Sequence, residues 1–204
     1  MRQPGSAGHT VMLVILIAAV QGCVWTVKGD PYPEVGTWPP VGLSKQQTIG
    51  ITVKTSLFLE SNKSYEEIEF EQIAHRAAYN AFKESRCFRE IQVRSHEGVD
   101  YWADITVLKN VSDPPGWWVP ASLFLIPSKG ESVDLILTQL YNKQGVPLGS
   151  FSRKAVIGGY VQLLFILLWP LEQLSEPYSQ ERAMYDAHRA IILEAVDKGI
   201  WSGT

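Results

Sequence analysis

Ser64-Tyr65-Glu66-Glu67-Ile68-Glu69-Phe70-Glu71-Gln72-Ile73-Ala74-His75-Arg76-Ala77-Ala78-Tyr79-Asn80-Ala81-Phe82 carries a helix start and a helix face in one continuous segment. Ser64 and Glu67 have the Ser-x-x-Glu spacing of a capping box, in which each side chain satisfies an orphan backbone N–H at a helix start. Phe70, Ile73, Ala74, Ala77, Ala78, Ala81 and Phe82 recur at helical spacing, so a helix is predicted from Tyr65 to about Arg86. Its apolar stripe is narrow and rich in alanine, which lets a helix lie close against a sheet.

The flanking sequence supplies that sheet. From Thr48, Ile49, Ile51 and Val53 alternate with polar partners and Leu57 to Leu59 continue the apolar character, the pattern of a strand. Further strands are predicted at Arg89–Arg94, Tyr101–Lys109 and Ser132–Asn142, the last with Val133, Leu135 and Leu137 set against Asp134 and Thr138. Lys143-Gln144-Gly145 reads as a hairpin turn into a strand from Leu148 to Val156. Asp113 to Pro120 is a loop by its prolines, and Ser122 to Pro127 is either a short strand or an apolar loop. A second helix is predicted over Tyr178–Lys198, where Met184, Ala187, His188, Ile191, Ile192 and Ala195 share a face between Pro177 and Gly199. The order predicts an α+β domain over residues 48–204, a mostly antiparallel sheet with two main helices packed on it.

Upstream of that domain, residues 10 to 20 are an apolar run of about 11 residues behind Arg2, too short to span a bilayer core of roughly 30 Å and suited to an export signal. The run ends in Val20-Gln21-Gly22-Cys23, which resembles the bacterial lipobox. That resemblance implies that residues 1–22 are removed and that Cys23 becomes a lipidated N-terminus, held by several acyl chains at about 0.8 kcal/mol per buried methylene. Val24 stands where an aspartate retains many Gram-negative lipoproteins in the inner membrane, so the outer membrane is expected, with the inner membrane as the alternative. Residues 24 to 47, with Pro31, Pro33, Pro39 and Pro40 and no sustained apolar period, read as an extended tether able to reach roughly 70 Å.

Composition narrows the function classes. The chain of 204 residues carries a net charge of −3, and loss of residues 1–22 removes only Arg2 among the charged side chains, so no basic field for nucleic acid exists. Cys23 and Cys87 are the only cysteines, and lipidation consumes the first, which leaves Cys87 a free thiol with the character of a small hydrophobe. Asn62-Lys63-Ser64 and Asn110-Val111-Ser112 fit the glycosylation pattern, but a secreted eukaryotic domain of this size is expected to show a disulfide framework. No internal repeat is visible.

Ala155 to Leu171 is a second uncharged apolar stretch. As a helix it would extend about 26 Å, marginally short of a bilayer core. Three readings stay open: a buried core element, a segment dipping into the leaflet that holds the anchor, and a transmembrane helix. Trp117, Trp118, Tyr160, Leu164, Phe165, Leu167 and Trp169 are the candidate contacts to membrane or partner, being aromatic residues of interfacial type and the apolar centre of the run.

No catalytic constellation stands out in the sequence. His75, His96 and His188 lack any zinc-binding spacing, so no metal or other cofactor is expected. His75 is placed on the polar face of the first helix as a solvated side chain, and His96-Glu97-Gly98-Val99-Asp100 reads as a turn. Asp104 is expected at a strand edge facing solvent. No Gly-x-Ser-x-Gly or phosphate-binding loop occurs.

With the lipobox, Leu123-Phe124-Leu125-Ile126-Pro127, the strand ending at Gln139 to Gly145 and the run closing on Trp169-Pro170, the chain resembles small uncharacterised lipoproteins of Gram-negative bacteria. Its strand, helix, strand order is more distantly similar to periplasmic lipoproteins of envelope assembly, including the curli secretion-channel type, whose barrel-forming segments have no clear counterpart here. The resemblance implies a non-enzymatic envelope component that binds another envelope protein. The alternatives are a lipid-binding or lipid-transfer accessory using residues 155–171 and, third, an envelope hydrolase.

Overall fold

The strand at Thr48–Leu57 (β2) separates two unlike faces, because Ile49, Ile51 and Val53 are buried on one side while Thr52, Lys54 and Ser56 lie half-buried or exposed on the other. A computed structural model describes residues 23–28, 38–40, 47–57, 65–95, 97–111, 128–161 and 175–201. The other described strands are β1 (Cys23–Lys28), β3 (Glu90–Val93), β4 (Tyr101–Val111), β5 (Ser128–Asn142) and β6 (Pro147–Val161). They form one sheet in the order β1-β6-β5-β4-β2-β3. Helices α1 (Tyr65–Ser85) and α2 (Glu176–Asp197) pack on each other and on one face of that sheet. The α+β class is therefore as the sequence implies.

The core lies between that face and the helices. Phe70, Ile73, Ala74, Ala77, Ala78, Ala81 and Phe82 of α1 are all buried, as their spacing requires, against Ile49, Ile51, Ala103, Ile105 and Val107. Helix α2 adds Met184, Ala187, Ile191, Ile192 and Ala195, and its start is capped by Ser175, whose Oγ accepts from the Tyr178 N–H. Phe88 links the far end to Trp201, with ring centroids 5.1 Å apart in an edge arrangement.

The sheet is mixed. β1–β6, β6–β5 and β5–β4 pair antiparallel, but β2 is parallel to both β3 and β4. The first parallel pair follows from α1, which returns the chain to the end of the sheet where β2 began. The second needs the short link from β3 to β4 to cross β2, because β3 lies on one side of it and β4 on the other. It crosses at Gly50: a Cβ there would stand 2.3 Å from the Ser95 carbonyl oxygen. Arg94, at φ +63°, turns the chain into this crossing and donates its N–H to the Ile51 carbonyl. Asp100 fixes the far side, its carboxylate accepting from the Thr48 N–H at 2.9 Å and the Thr48 hydroxyl at 3.0 Å. Residues 97–100 of the expected turn belong to this crossing, and His96 lies outside the described residues.

Two expectations about facing and extent are corrected. In β5 the buried side chains are Ser132, Asp134, Ile136, Thr138 and Leu140, whereas Leu137 is 37% exposed and Val133 and Leu135 are half-buried, the reverse of the expected assignment. The reason is register: Val107, Ile105 and Ala103 pair with Ile136, Thr138 and Leu140, so β4 dictates which side of β5 meets the helices. At the N-terminus, Cys23–Lys28 is not tether but an edge strand on β6, and Trp38 packs on the core with the Arg189 guanidinium 5.4 Å from its ring.

The apolar run from Ala155 also begins in the sheet. Ala155–Val161 completes β6, with Ala155, Ile157, Gly158 and Gly159 buried, so a single helix over Ala155–Leu171 is excluded. Residues 162–171 lie outside the described residues. Among the described residues no helix is long and apolar enough to cross a membrane.

Two outcomes test this architecture. Gly50→Ala places a methyl group against backbone rather than a flexible side chain, so urea unfolding should show a loss of at least about 2 kcal/mol; a loss below about 0.5 would reject the crossing. A chain starting at Ser44 lacks β1 and Trp38 and bares the β6 edge. It should fold with a lower melting temperature and associate with rising concentration in sedimentation, and an unchanged monomeric protein would restore the tether reading.

Candidate functional site

The face of the sheet opposite the two described helices is the broadest candidate surface. Register aligns Thr52, Asp104, Gln139 and Ser150 in one row across it, Lys54, Thr106, Leu137 and Ser152 in the next, and Ser56, Leu108, Leu135 and Lys154 in a third. All of these are half-buried or exposed, and no described element packs on them. At the hairpin end Trp102 and Tyr141 stack with centroids 5.3 Å apart and planes at 27°, and the Tyr141 hydroxyl donates to Gln139 Oε1 at 2.6 Å. The hairpin that closes this end is built as expected, with Gly145 at φ +80° and the Asn142 carboxamide accepting from the Gln144 and Val146 N–H groups. The face thus mixes aromatic, leucine and short polar side chains.

A buried polar group joins the other face to α2. Asp134 is fully buried, and its Oδ2 accepts from Gln180 Nε2 at 3.0 Å. Beside it Lys109, the residue paired with Asp134 in register, reaches Glu176 Oε1 at 3.5 Å and lies 5.4 Å from the Phe70 ring centroid. Burial raises the Asp134 carboxyl to about 6, against the opposing pull of Gln180 and Lys109. His188, on the buried face of α2, is held in the opposite sense: burial drives its imidazole down to about 4, so it is neutral at physiological pH. Wholly buried groups of this kind join elements and offer no reacting atom to a substrate.

A groove of about 590 Å³ runs between α1 and the edge strand β3. Ile68 and Val93 form its apolar walls, and Glu71, His75, Arg76 and Arg94 its polar ones. Glu71 Oε1 accepts from Arg94 Nη2 at 2.9 Å and lies 3.6 Å from His75 Nε2. His75 is only 17% exposed, so the expectation of a solvated side chain fails; burial, helped by Arg94, lowers its basicity despite Glu71. Among the described residues no three His, Cys, Asp or Glu side chains are grouped to hold a metal ion.

Of the residues singled out from sequence, Cys23 occupies the first position of β1, opposite Val161, and Tyr160 the next position of β6, opposite Val24. Trp117, Trp118, Leu164, Phe165, Leu167 and Trp169 lie outside the described residues. Asp104 sits on the open face of an inner strand, half-buried, and not at a sheet edge. Cys87 is a free buried thiol, and burial pushes it up in pKa and out of reactive use. Sequence reading missed the Asp134–Gln180 pair and the Trp102–Tyr141 stack. A carboxylate at alternate spacing with Ile136 and Leu140 was the available signal for the first.

The two buried titratable groups predict a pH signature. Asp134 titrates higher in the folded than in the unfolded chain, so its contribution is full below about pH 4 and is lost as pH rises through 6. His188 titrates lower when folded, so its contribution is full above about pH 6.5 and is lost as pH falls towards 4. Over the shared window they oppose one another. Asp134→Asn should gain about 2–3 kcal/mol over the parent at neutral pH, lose that gain at about pH 4, and become markedly acid-sensitive, as urea unfolding across pH would show. An Asn variant with the parent's pH profile would refute the buried carboxyl's role.

No protein-family model matches the sequence, and no curated protein does. Among solved structures the chain is similar to a neuraminyllactose-binding hemagglutinin homologue from Helicobacter pylori, at a TM-score of 0.37 and 11% identity over 78% of this chain and 88% of that one. A PelC dodecamer from Paraburkholderia phytofirmans gives a TM-score of 0.37 and 10% identity over 81% and 96%. A minor lipoprotein from Acinetobacter baumannii gives 0.32 and 10% over 74% and 93%. Likenesses this weak carry no argument about what the chain does.

Proposed function

We propose that the chain is a membrane-anchored lipoprotein of the Gram-negative envelope, a non-enzymatic component whose domain binds another envelope protein. The anchor reading rests on Val20-Gln21-Gly22-Cys23 behind its apolar run, and Val24 favours the outer membrane. The binding reading is carried by one observation: the two described helices both pack on one face of a six-stranded sheet, and the opposite face carries, among the described residues, Trp102, Tyr141, Leu135 and Leu137 with Thr, Ser and Lys side chains. Solvent-reached apolar and aromatic side chains interspersed with polar ones are common in protein interaction sites, and Trp and Tyr are among the residue types that dominate their energetics.

A photo-crosslinking residue at position 137, with position 79 on the exposed side of α1 as control, tests this in cells that carry the full chain. A discrete protein adduct from 137 and none from 79 is the expected result. Leu137→Ser should weaken binding of the captured protein while changing unfolding stability by less than about 1 kcal/mol. Adducts to lipid alone at 137 would favour the lipid-accessory alternative. For the anchor, Cys23→Ser should accumulate as unprocessed precursor, and an intact mass starting at any residue other than 23, or lacking acyl chains, would defeat it.

A further inference from the structure

We infer that the outer ends of β1, β6 and β5 form the membrane-contacting tip of the molecule, laid directly on the phospholipid leaflet that holds the anchor. This rests on the lipid-anchor reading of Cys23 and goes beyond it by fixing orientation and reach. β4 ends at Val111, opposite Ser132, but β5 and β6 continue four rows further with β1 alongside. Those rows are Thr26–Gly158–Glu131, Trp25–Gly159–Gly130, Val24–Tyr160–Lys129 and, outermost among the described residues, Cys23–Val161–Ser128. At about 3.3 Å per residue the projection reaches roughly 13 Å past the end of β4.

The acylated residue stands in the outermost row and is itself part of the strand. A lipoprotein domain floats away from its membrane only through unpaired residues that follow the cysteine, and here pairing with β6 begins at residue 23. β1 is also packed against α2, which ties it to the core. Acyl chains inserted in the leaflet therefore bring the row Cys23–Val161–Ser128 to headgroup depth. The composition of the rows fits that position. Trp25 and Tyr160 are residue types that favour a membrane interface, and the cationic Lys129 lies one row from the tip while the anionic Glu131 lies three rows away. The hairpin at residues 143–146 is at the opposite end of β5, about 45 Å from the tip along the strand.

The test uses the full acylated protein in vesicles of phosphatidylethanolamine and phosphatidylglycerol, in a Cys87→Ala background, with a spin label at Lys129→Cys or at Lys143→Cys. Both lysines are exposed, so either label is compatible with the fold. The ratio of collisions with lipid-soluble oxygen to collisions with an aqueous nickel chelate should be several-fold higher at 129 than at 143. A Gly/Ser spacer inserted between Cys23 and Val24 should bring the 129 label to the water-like value of 143. Intact mass is measured on the same samples. Confirmed acyl chains with a water-like label at 129, or a spacer without effect, overturn the inference and leave the anchor reading standing. Absence of acyl chains overturns both.

Discussion

The architecture depends on a single close approach, the passage of the Ser95 backbone over Gly50. A chain that leaves the outermost strand and must enter the sheet on the far side of its neighbour has to cross that neighbour, and a side chain at the crossing point would hold the two backbones apart. Gly50 has none. With Thr48 and Asp100 exchanging hydrogen bonds beyond the crossing, β4 is delivered parallel to β2, with Ile49 opposite Tyr101 and Ile51 opposite Ala103. The register of the whole sheet propagates from there. β4 fixes β5, β5 fixes β6, and β6 fixes the edge strand that begins at Cys23.

Propagated register has a cost in polarity. It turns Ser132, Asp134 and Thr138 toward the helices, where a buried carboxylate loses hydration worth several kcal/mol unless it is partnered. Gln180 supplies that partner from α2, and Lys109 adds compensating charge at the margin, partly cancelled by its own partner Glu176. His188 buries an imidazole in the same helix without a charge. The carboxyl and the imidazole respond to pH in opposite directions over the same interval, so the interior tolerates ionisable groups while the net dependence on pH stays shallow. Surface pairs such as Arg76–Glu181 and Arg94–Glu71 add little beside these buried terms.

Local signals were legible in the sequence. Phe70 to Phe82 marked α1, Met184 to Ala195 marked α2, and Asn142 to Val146 marked the hairpin, because helix periodicity and turn chemistry are properties of neighbouring residues. What depended on distant partners was not. β5 carries apolar residues on both faces, so alternation alone could not say which one meets the helices until β4 was placed. The parallel pairing required the crossing at Gly50, which in sequence is only an unremarked glycine inside a strand. β1 has six residues among prolines and glycines, too few to show a period, and its place is set by the free edge of β6. His75 illustrates the same limit at one side chain: helical spacing assigned it to the polar face, but the neighbouring edge strand builds a wall beside it.

The structure also changes how the functional alternatives relate. A lipid-binding accessory and a protein-binding component compete only when one surface must serve both roles. Here the projection that ends in Cys23, Val161 and Ser128 lies along the strand axis, while the open face with Leu135, Leu137, Trp102 and Tyr141 lies perpendicular to it. An anchor at the strand end presents that face sideways over most of the length of β5, from near the leaflet out to the hairpin. A partner rising from the same membrane meets it along its length, whereas one approaching from solution meets chiefly the hairpin and the Trp102–Tyr141 stack. Sequence alone left residues 155–171 open between a core element, a leaflet-dipping segment and a transmembrane helix. The sheet divides the run itself: Ala155 and Ile157 lie in the buried core, whereas Tyr160 and Val161 pair with Val24 and Cys23 at the strand end. On the proposed readings, attachment and recognition would use one β-sheet in two directions, along the strands and perpendicular to them.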